Sequence, residues 1–234
     1  MAKKIYLSPS NQNANTYATG GTNEMVQCNK IAQAAETALK RCGFDVKRAP
    51  QGQDMNVSIR QSNEWKADLH VPIHTNAFNG NVTGGTLIMV YSNSGENAKA
   101  AKAIKAVLDP LSPGKDYSIQ TRTDLAELRN TTAVAVYIEC EFHDTKTGSD
   151  FIIKNTTKLG EAIAKGICNY YGATYKAPAT QTAKPTTATK PTSTAKKTVY
   201  RVQVGSYTNK ANANELVNKL KKQGYQPIVV KAEV

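Results

Sequence analysis

Residues 68–76 read Asp68-Leu-His-Val-Pro-Ile-His-Thr-Asn76 and carry two of the three histidines in the chain. This apolar run predicts a buried β-strand, in which alternate side chains face the same side of a sheet. His70 and His74 then share one face with their α-carbons about 13 Å apart, too far for ordinary bonds to one metal ion. His74 falls at the carboxyl end of the strand, where open α/β sheets place functional groups. The pattern therefore favours a ligand at His74 and a hydrogen-bonded core histidine at His70.

Strand-like and helix-like patterns alternate on both sides of this run, from the amino terminus to about residue 175. The predicted strands are Lys4–Ser8, Phe44–Arg48, Asp68–His74, Gly85–Tyr91 and Val134–Glu139. The predicted helices are Asn23–Arg41, Val57–Lys66, Glu96–Leu108 and Lys158–Tyr171. This alternation is typical of an α/β domain, and we predict a three-layer α/β/α fold with helices on both faces of a mostly parallel, twisted sheet.

A change of composition follows this predicted domain of residues 1–175. Residues 176–197 consist of Thr, Ala, Lys and Pro apart from one Gln and one Ser, which predicts an extended linker that forms no core. Residues 198–234 then predict a small βαβ unit, with strands at Tyr200–Tyr207 and Tyr225–Val230 around a helix at Asn209–Gln223. A unit of this size needs a partner surface, because so short a segment rarely builds a self-sufficient core.

The formal net charge of +12 belongs largely to the tail, since residues 176–197 contain five lysines and no acidic residue. A basic tail suits attachment to an anionic surface, such as a wall bearing teichoic acid, a membrane face or a nucleic acid. Nucleic acid is the weakest of these partners. The chain has one Trp, and its tail charges lie in a Thr/Pro/Lys setting without the aromatic and arginine side chains of nucleic-acid surfaces. We therefore predict no nucleic-acid partner.

The cysteines and the apolar runs exclude several classes of protein. Four cysteines, Cys28, Cys42, Cys140 and Cys168, show neither CxxC spacing nor a dense disulfide framework. The longest uninterrupted apolar run, Ala133–Ile138, is too short for an integral membrane segment. The amino terminus enters a strand-like run without a long apolar stretch or a cleavage site. We therefore expect synthesis in the cytoplasm without a signal peptide, and access to the outside by lysis or holin-type release.

Three carboxylates stand at positions where chemistry is expected. Glu139 closes an apolar strand at the sheet edge predicted for His74, and burying a carboxylate there is expensive unless it serves a metal ion or a reaction. Glu139 is therefore the predicted general base. Glu141 has the same strand parity and is the alternative base, but we expect it in a loop beyond the strand. Glu24 starts the first long helix, where the helix dipole favours a negative charge.

Five short motifs occur in a particular order along the chain. They are Glu24 with Asn29, Arg60-Gln-Ser-Asn63, Ala67–Ala77, Leu128-Arg-Asn-Thr131, and Ile138-Glu139 before Phe142. Over residues 4–171 this order resembles the zinc-dependent N-acetylmuramoyl-L-alanine amidases of the amidase type 3 family. The resemblance implies a Zn²⁺-dependent hydrolase whose partner is peptidoglycan, and which cleaves the amide bond between N-acetylmuramic acid and the L-alanine of the stem peptide.

Site residues follow from the resemblance by position. In that family two histidines and a glutamate hold the zinc, and a second glutamate near the end of a late strand acts as base. Glu24 and His74 resemble two of the ligands, and Glu139 resembles the catalytic glutamate. Asn76 and Arg129 are predicted to orient the substrate, with a structural ion pair as the alternative role of Arg129.

The chain departs from the family at the first ligand. The family pattern there is Asp-Pro-Gly-His, and this chain reads Ser8-Pro-Ser-Asn11. An amide oxygen is a weak, neutral substitute for imidazole as a zinc ligand. We predict that His143, just past the presumed base, replaces the missing histidine and that Asn11 faces the substrate. The alternatives are Asn11 or Gln12 as the ligand, or an empty site in a peptidoglycan-binding protein that no longer catalyses.

The tail shows a resemblance of its own. Tyr200-Arg-Val-Gln-Val-Gly-Ser-Tyr207 and the later Gly224-Tyr225 resemble the SPOR (sporulation-related repeat) domain, which binds peptidoglycan. Members of that family usually contain two such units, whereas this chain shows one. The resemblance leaves three readings: a truncated sequence, a homodimer that combines two halves, or a unit that docks elsewhere. A signal-free amidase with a wall-binding tail fits a phage endolysin or a bacterial autolysin.

Overall fold

The computed structural model describes residues 2–80, 84–115, 117–178, 209–222 and 227. The chain divides into two compact units, Met1–Gln181 and Thr182–Val234. The strands described are β1 Lys4–Pro9, β2 Asp45–Arg48, β3 Leu69–Asn76, β4 Leu87–Val90, β5 Gln120–Thr121, β6 Val134–Ala135 and β7 Tyr137–Phe142. The helices described are α1 Glu24–Arg41, α2 Met55–Trp65, α3 Gly95–Leu108, α4 Ala126–Arg129 and α5 Lys146–Tyr171 in the first unit, and α6 Lys210–Lys222 in the second.

One mixed sheet forms the centre of the first unit. Its strands follow the order β2-β1-β3-β7-β4-β5, and the short β6 pairs with β3 beside β7. Every pairing is parallel except that of β4 with β7. The parallel strands β1, β3 and β7 therefore end at the same edge, which gathers the residues that follow them. The prediction of a mostly parallel α/β sheet is confirmed.

Helices cover both faces of the sheet. On one side α1 and α3 both pack against α5, and the buried side chains Ile31 and Ile163 belong to the core that these helices share with the sheet. On the other side α2 contacts β1 and α4. Alternation along β1 and β3 sends Tyr6 and His70 to the second side, where Tyr6 Oη lies 2.7 Å from Gln61 Oε1 of α2.

The element bounds differ from the predicted ones in informative ways. Helix α5 begins at Lys146 rather than Lys158, because the Thr145 hydroxyl caps it by accepting from the amide of Gly148 at 3.1 Å. The predicted strand Val134–Glu139 is two strands, and the second continues to Phe142. The short elements β5 and α4 were not predicted, since two and four residues carry too little periodicity to be detected.

The predicted helix of the tail corresponds to α6, whereas both predicted strands around it lie outside the described residues. In the part of the chain that the structure describes, no helix has both the length and the apolarity needed to cross a membrane.

Candidate metal and catalytic site

Glu24 and His74 meet at the carboxyl edge of the sheet. Asn23 caps α1 by accepting from the amide of Val26 at 3.0 Å, so that Glu24 is the first helical residue and is buried. His74 lies near the end of β3, and its Nδ1 lies 2.8 Å from Glu24 Oε1. The other carboxylate oxygen of Glu24 accepts from Asn15 Nδ2 at 2.7 Å. These contacts fix the carboxylate and the imidazole against each other.

Glu139 lies beside this pair on the neighbouring strand. In the parallel register of β3 with β7, Glu139 is the direct partner of His74. Its Oε2 is buried and has no hydrogen-bond partner among the described residues. Burial raises the pKa of Glu139 to about 8, although the positive charge of His74 opposes the rise. A carboxyl group with such a pKa can accept and return a proton near neutral pH.

His74 is held from several directions. Its ring stacks on Tyr137 with centroids 4.4 Å apart, and its Nε2 lies 3.9 Å from Glu127 Oε2. Burial alone would lower the pKa of His74, but the interactions with Glu127 and Glu24 outweigh burial and raise it to about 10. Without a metal ion the imidazole is thus a cation between two carboxylates.

The donors fit a divalent cation in chemical type. Glu24 offers a carboxylate oxygen and His74 an imidazole nitrogen, both of which suit zinc, and Glu139 adds a buried carboxylate oxygen without a partner. Three buried carboxyl groups, those of Glu24, Glu127 and Glu139, surround the single imidazolium of His74, so added positive charge is favoured. Within the described ranges, however, no cluster of three or more His, Cys, Asp or Glu side chains is already spaced to hold a metal ion.

The position of the family's first ligand is taken by amides. Asn11 is exposed, and no side-chain hydrogen bond of it occurs among the described contacts. Gln12, one residue later, places Nε2 3.5 Å from His74 Nδ1, and its Oε1 accepts from Asn15 Nδ2 at 2.7 Å. Asn15 also donates to Glu24, as described above. The amide of Gln12 is therefore part of the same network as Glu24 and His74.

His143 lies just beyond β7 in a well-defined contact of its own. Its Nδ1 donates to the carbonyl of Thr75 at 2.9 Å and lies 3.0 Å from the Thr75 hydroxyl. The ring stacks on Tyr17 with centroids 4.9 Å apart, and the Tyr17 hydroxyl lies 2.9 Å from that of Thr75. Burial lowers the pKa of His143, which favours the neutral ring. Within the described contacts it makes no hydrogen bond to Glu24 or His74, and its role as third ligand stays a prediction.

Two family models match the chain. One, described as N-acetylmuramoyl-L-alanine amidase, matches residues 7–169, which is more than half of the chain. The chain belongs to the N-acetylmuramoyl-L-alanine amidase family. The second, the SPOR domain, matches residues 176–231. Both predicted resemblances are confirmed at the level of family, and amidases of this family are generally metal-dependent.

Individual relatives agree with this assignment. An uncharacterized 38.4 kDa protein of Clostridium perfringens is 27% identical over 164 residues, 64% of this chain and 46% of that protein, so the chain spans less than half of this relative. A sporulation-specific N-acetylmuramoyl-L-alanine amidase of Bacillus subtilis is 24% identical over 235 residues, 97% of this chain and 84% of that protein. The solved structure of N-acetylmuramoyl-L-alanine amidase AmiC2 of Nostoc punctiforme has a TM-score of 0.66 at 14% identity, covering 73% of this chain and 97% of its own, which is a likeness of fold.

The two residues predicted to orient an amidase substrate lie in different settings. Asn76 ends β3, where its Oδ1 accepts from the amide of Ala77 at 2.8 Å and its carbonyl accepts from the amide of His143 at 2.7 Å. Arg129 ends α4 and is exposed, and its Nε lies 3.3 Å from Asn130 Oδ1. Their roles toward substrate stay predictions.

Glu141 is not in a loop, contrary to expectation. It lies within β7 and is fully buried. Hydrogen bonds offset the cost of burying this carboxylate, since its Oε1 accepts from the amides of Gly85 and Phe142 at 2.6 and 2.8 Å and the Ser112 hydroxyl donates to its Oε2. With these donors the carboxylate holds the segment before β4, and it is not free to replace Glu139 as a base.

Sequence reasoning missed Glu127. This residue of α4 is 3% exposed and lies 3.1 Å from His70 Nε2 as well as 3.9 Å from His74 Nε2. The expected hydrogen-bonded core histidine at His70 is present, but its partner was not foreseen, since α4 is too short to show a pattern. The sequence offered one indication that Glu127 is buried: it lies between Leu125 and Leu128, whose side chains pack in the core.

Proposed function

We propose that this chain is a zinc-dependent amidase, which hydrolyses the bond between N-acetylmuramic acid and the L-alanine of the peptidoglycan stem peptide. The observation that carries the proposal is the juxtaposition of the Glu24–His74 pair with Glu139 in register on the adjacent strand. Family membership supports the reaction class, and the type of donor at each position supports the metal. Substrate, metal and partners of the whole protein are part of the proposal.

Glu24 and His74 would hold the zinc through a carboxylate oxygen and Nδ1. The third donor that the contacts favour is the side chain of Gln12, because its amide already lies at His74 Nδ1 and is linked through Asn15 to Glu24. As placed, the Gln12 amide turns Nε2 toward His74 and Oε1 toward Asn15, so a half-turn that presented the oxygen to a metal would give up the hydrogen bond from Asn15. Once bound, zinc polarises the scissile carbonyl and lowers the pKa of a coordinated water.

Glu139 supplies the proton transfers. Its unpartnered Oε2 accepts a proton from the attacking water, and the protonated carboxyl then donates to the departing amine of L-alanine. Burial raises the pKa of Glu139 in the metal-free protein, and the positive charge of a bound zinc would lower it again, which favours the carboxylate form that accepts the first proton. Asn76 and Arg129 are proposed to orient the substrate from the same edge, with Asn11 on the exposed side of the site.

The segments after the amidase domain are proposed to keep the enzyme on its substrate. We assign residues 1–175 to the amidase domain, 176–197 to a linker and 198–234 to a partial SPOR unit that binds peptidoglycan; the SPOR match supports a peptidoglycan-binding tail, although it covers residues 176–231 and so includes the proposed linker. The five lysines of the linker add attraction to an anionic wall. Pairing of two chains through the partial unit stays a prediction, as does release as an endolysin or autolysin.

A second candidate function is peptidoglycan binding without catalysis. The observation in its favour is Asn11 at the position where the family has a histidine ligand. Such a protein would keep the fold and the tail but would hold no zinc. The two functions are therefore separated by metal content together with cleavage.

The test measures zinc and cleavage on the same samples of the full chain. Wild type is expected to hold about one zinc per chain and to release new amino termini from purified peptidoglycan. Glu139→Gln should keep the metal and lose about 10²- to 10⁴-fold in rate, because it removes the base alone. Glu24→Gln should lose both, and Glu161→Gln, on α5 beside Arg41, should lose neither. A zinc-replete wild type without metal or cleavage would decide for the binding protein.

A further inference from the structure

Glu127 is a buried carboxylate that the proposed reaction does not use. The four-residue helix α4 directs its side chain inward, where one oxygen lies 3.1 Å from His70 Nε2 and the other 3.9 Å from His74 Nε2. The two histidines are four residues apart on one face of β3, so the space between their rings admits one carboxylate. A buried charge is costly unless it is paired, and here His70 Nε2 lies within hydrogen-bond distance of the carboxylate, whereas His74 Nε2, at 3.9 Å, lies within ion-pair distance only.

The two ring nitrogens of His74 face different groups. Nδ1 faces Glu24 and Gln12, the side of the proposed metal, whereas Nε2 faces Glu127. A carboxylate that accepts from Nε2–H leaves the lone pair of a neutral imidazole on Nδ1 and fixes the plane of the ring. Tyr137 restricts the ring further by stacking on it.

His70 in turn holds Glu127. It is completely buried, stacks on Tyr6 with centroids 5.4 Å apart, and has no partner at Nδ1 among the described residues. Its single polar contact in that part of the chain is therefore the one to Glu127. This arrangement fixes one carboxylate oxygen and leaves the other aimed at His74.

We infer that Glu127 is a positioning residue for His74, which orients the ring and presents Nδ1 to the metal, and that His70 anchors Glu127 in that place. The inference rests on the proposed function, since it concerns how tightly Glu24 and His74 bind zinc. It predicts that metal affinity depends on a residue that does not touch the metal. Loss of such an outer partner typically lowers metal affinity about 10- to 100-fold.

A single truncation of Glu127 would leave His70 Nε2–H buried without an acceptor and would weaken the fold as well. The decisive variant is therefore the double change Glu127→Leu with His70→Phe, which replaces both polar partners by apolar groups of similar size. Such a swap leaves no unpaired group at the His70 side and is expected to retain the fold. Glu127→Gln is the conservative variant, because its amide oxygen still accepts one hydrogen bond.

The experiment measures the zinc dissociation constant of the full chain by competition with a chromophoric chelator, and thermal unfolding in excess chelator. We expect the double variant to unfold close to wild type but to bind zinc about 10- to 100-fold more weakly, with Glu127→Gln in between. Glu161→Gln is the control carboxylate for the zinc measurement and should match wild type in zinc affinity, because Glu161 pairs with Arg41 and Tyr175 rather than with the residues of the site.

Two outcomes would overturn the inference, and they differ in what else they overturn. If wild type binds zinc and the double variant binds it equally well, Glu127 has only a structural role while the amidase proposal stands. If wild type binds no zinc and cleaves no peptidoglycan under zinc-replete conditions, the proposed function fails and the inference fails with it.

Discussion

At the scale of single residues, the third metal donor is the point on which family resemblance and geometry differ. Asn11, at the family's histidine position, and Gln12 are both exposed, but only Gln12 has a side-chain contact with His74 among the described residues. We expect Gln12→Ala to weaken zinc binding about tenfold or more, by comparison with the loss of other groups around a metal. Asn11→Ala should leave the zinc dissociation constant unchanged, and the same chelator competition compares the two variants. A loss of zinc affinity in Asn11→Ala with none in Gln12→Ala would assign the ligand role to Asn11 instead.

His143 gives the complementary prediction at this scale. Its ring packs on Tyr17 and donates to Thr75, so its removal opens a gap and leaves buried polar atoms unpaired. We expect His143→Ala to lower the free energy of unfolding by about 2 kcal/mol or more, from the loss of a stacked pair and a buried hydrogen bond. Zinc content of the folded variant separates the two candidates for the third donor, since it should equal that of wild type if the donor is Gln12 and should fall if the donor is His143. Loss of zinc with unchanged denaturant unfolding would instead assign His143 to the metal.

Much of the candidate site was predictable because its residues end regular elements. His74 and Glu139 were found from apolar strands that finish at one sheet edge, and Glu24 from the start of a helix. Glu141 was misplaced because strand β7 continues past the point where its apolar pattern stops, stabilised by amides from distant segments. Glu127 was missed because its burial depends on a hydrogen bond with His70, which is 57 residues away, and no nearby sequence pattern indicates that contact.

At the scale of elements, the packing of α1 against α5 is the closest contact between helices near the site. A Cβ added at Gly160 would lie 2.5 Å from both the Ala34 Cβ and the Ile31 carbonyl of α1. Since backbone cannot yield as a flexible side chain does, we expect Gly160→Ala to destabilise the fold by about 1–3 kcal/mol despite the higher helix propensity of Ala. Because α1 carries Glu24 at its start, zinc affinity should fall as well.

The matched control for that prediction is Thr157→Ala, on the exposed side of the same helix. It should change the free energy of unfolding by less than about 0.5 kcal/mol, as surface substitutions usually do. Denaturant unfolding at equal protein concentration compares the three proteins. If Gly160→Ala proved as stable as wild type, the close approach of α1 and α5 would not limit the packing.

The elements themselves show where sequence patterns stop being informative. The long helices and the central strands were predicted within a few residues, because amphipathic or apolar runs mark them. The start of α5 was predicted at Lys158, twelve residues after its observed start at Lys146. The pattern of the helix is interrupted there, because its first turn is polar and the helix is kinked at Asn155. The helix begins at Lys146 because of the cap at Thr145, a signal carried by one side chain.

At the scale of the whole molecule, the chain combines a unit that contains the candidate site with a basic tail. Residues Met1–Gln181 form one compact unit with its own core, so a chain that ends at Gln181 is expected to fold. The truncated chain should hydrolyse a soluble N-acetylmuramoyl dipeptide at the wild-type rate, because the proposed site residues all lie within it. On intact cell walls it should act more slowly, since nothing then holds it at the insoluble substrate.

Salt distinguishes the two ways in which the tail can attach. Electrostatic attraction is screened over about 10 Å at 0.1 M salt and about 3 Å at 1 M, whereas binding by a SPOR unit to glycan depends less on salt. We expect wall retention of the full chain to fall as salt rises but to exceed that of the truncated chain even at 1 M. Replacing the five lysines of residues 176–197 by glutamine should weaken the salt-sensitive part without abolishing it, because residues 198–234 keep six Lys and Arg against two Glu. If this variant instead lost all retention on the wall, the tail would act as a polycation and the SPOR segment would not bind the wall. If its retention kept the full dependence on salt, the charge of the linker would play no part.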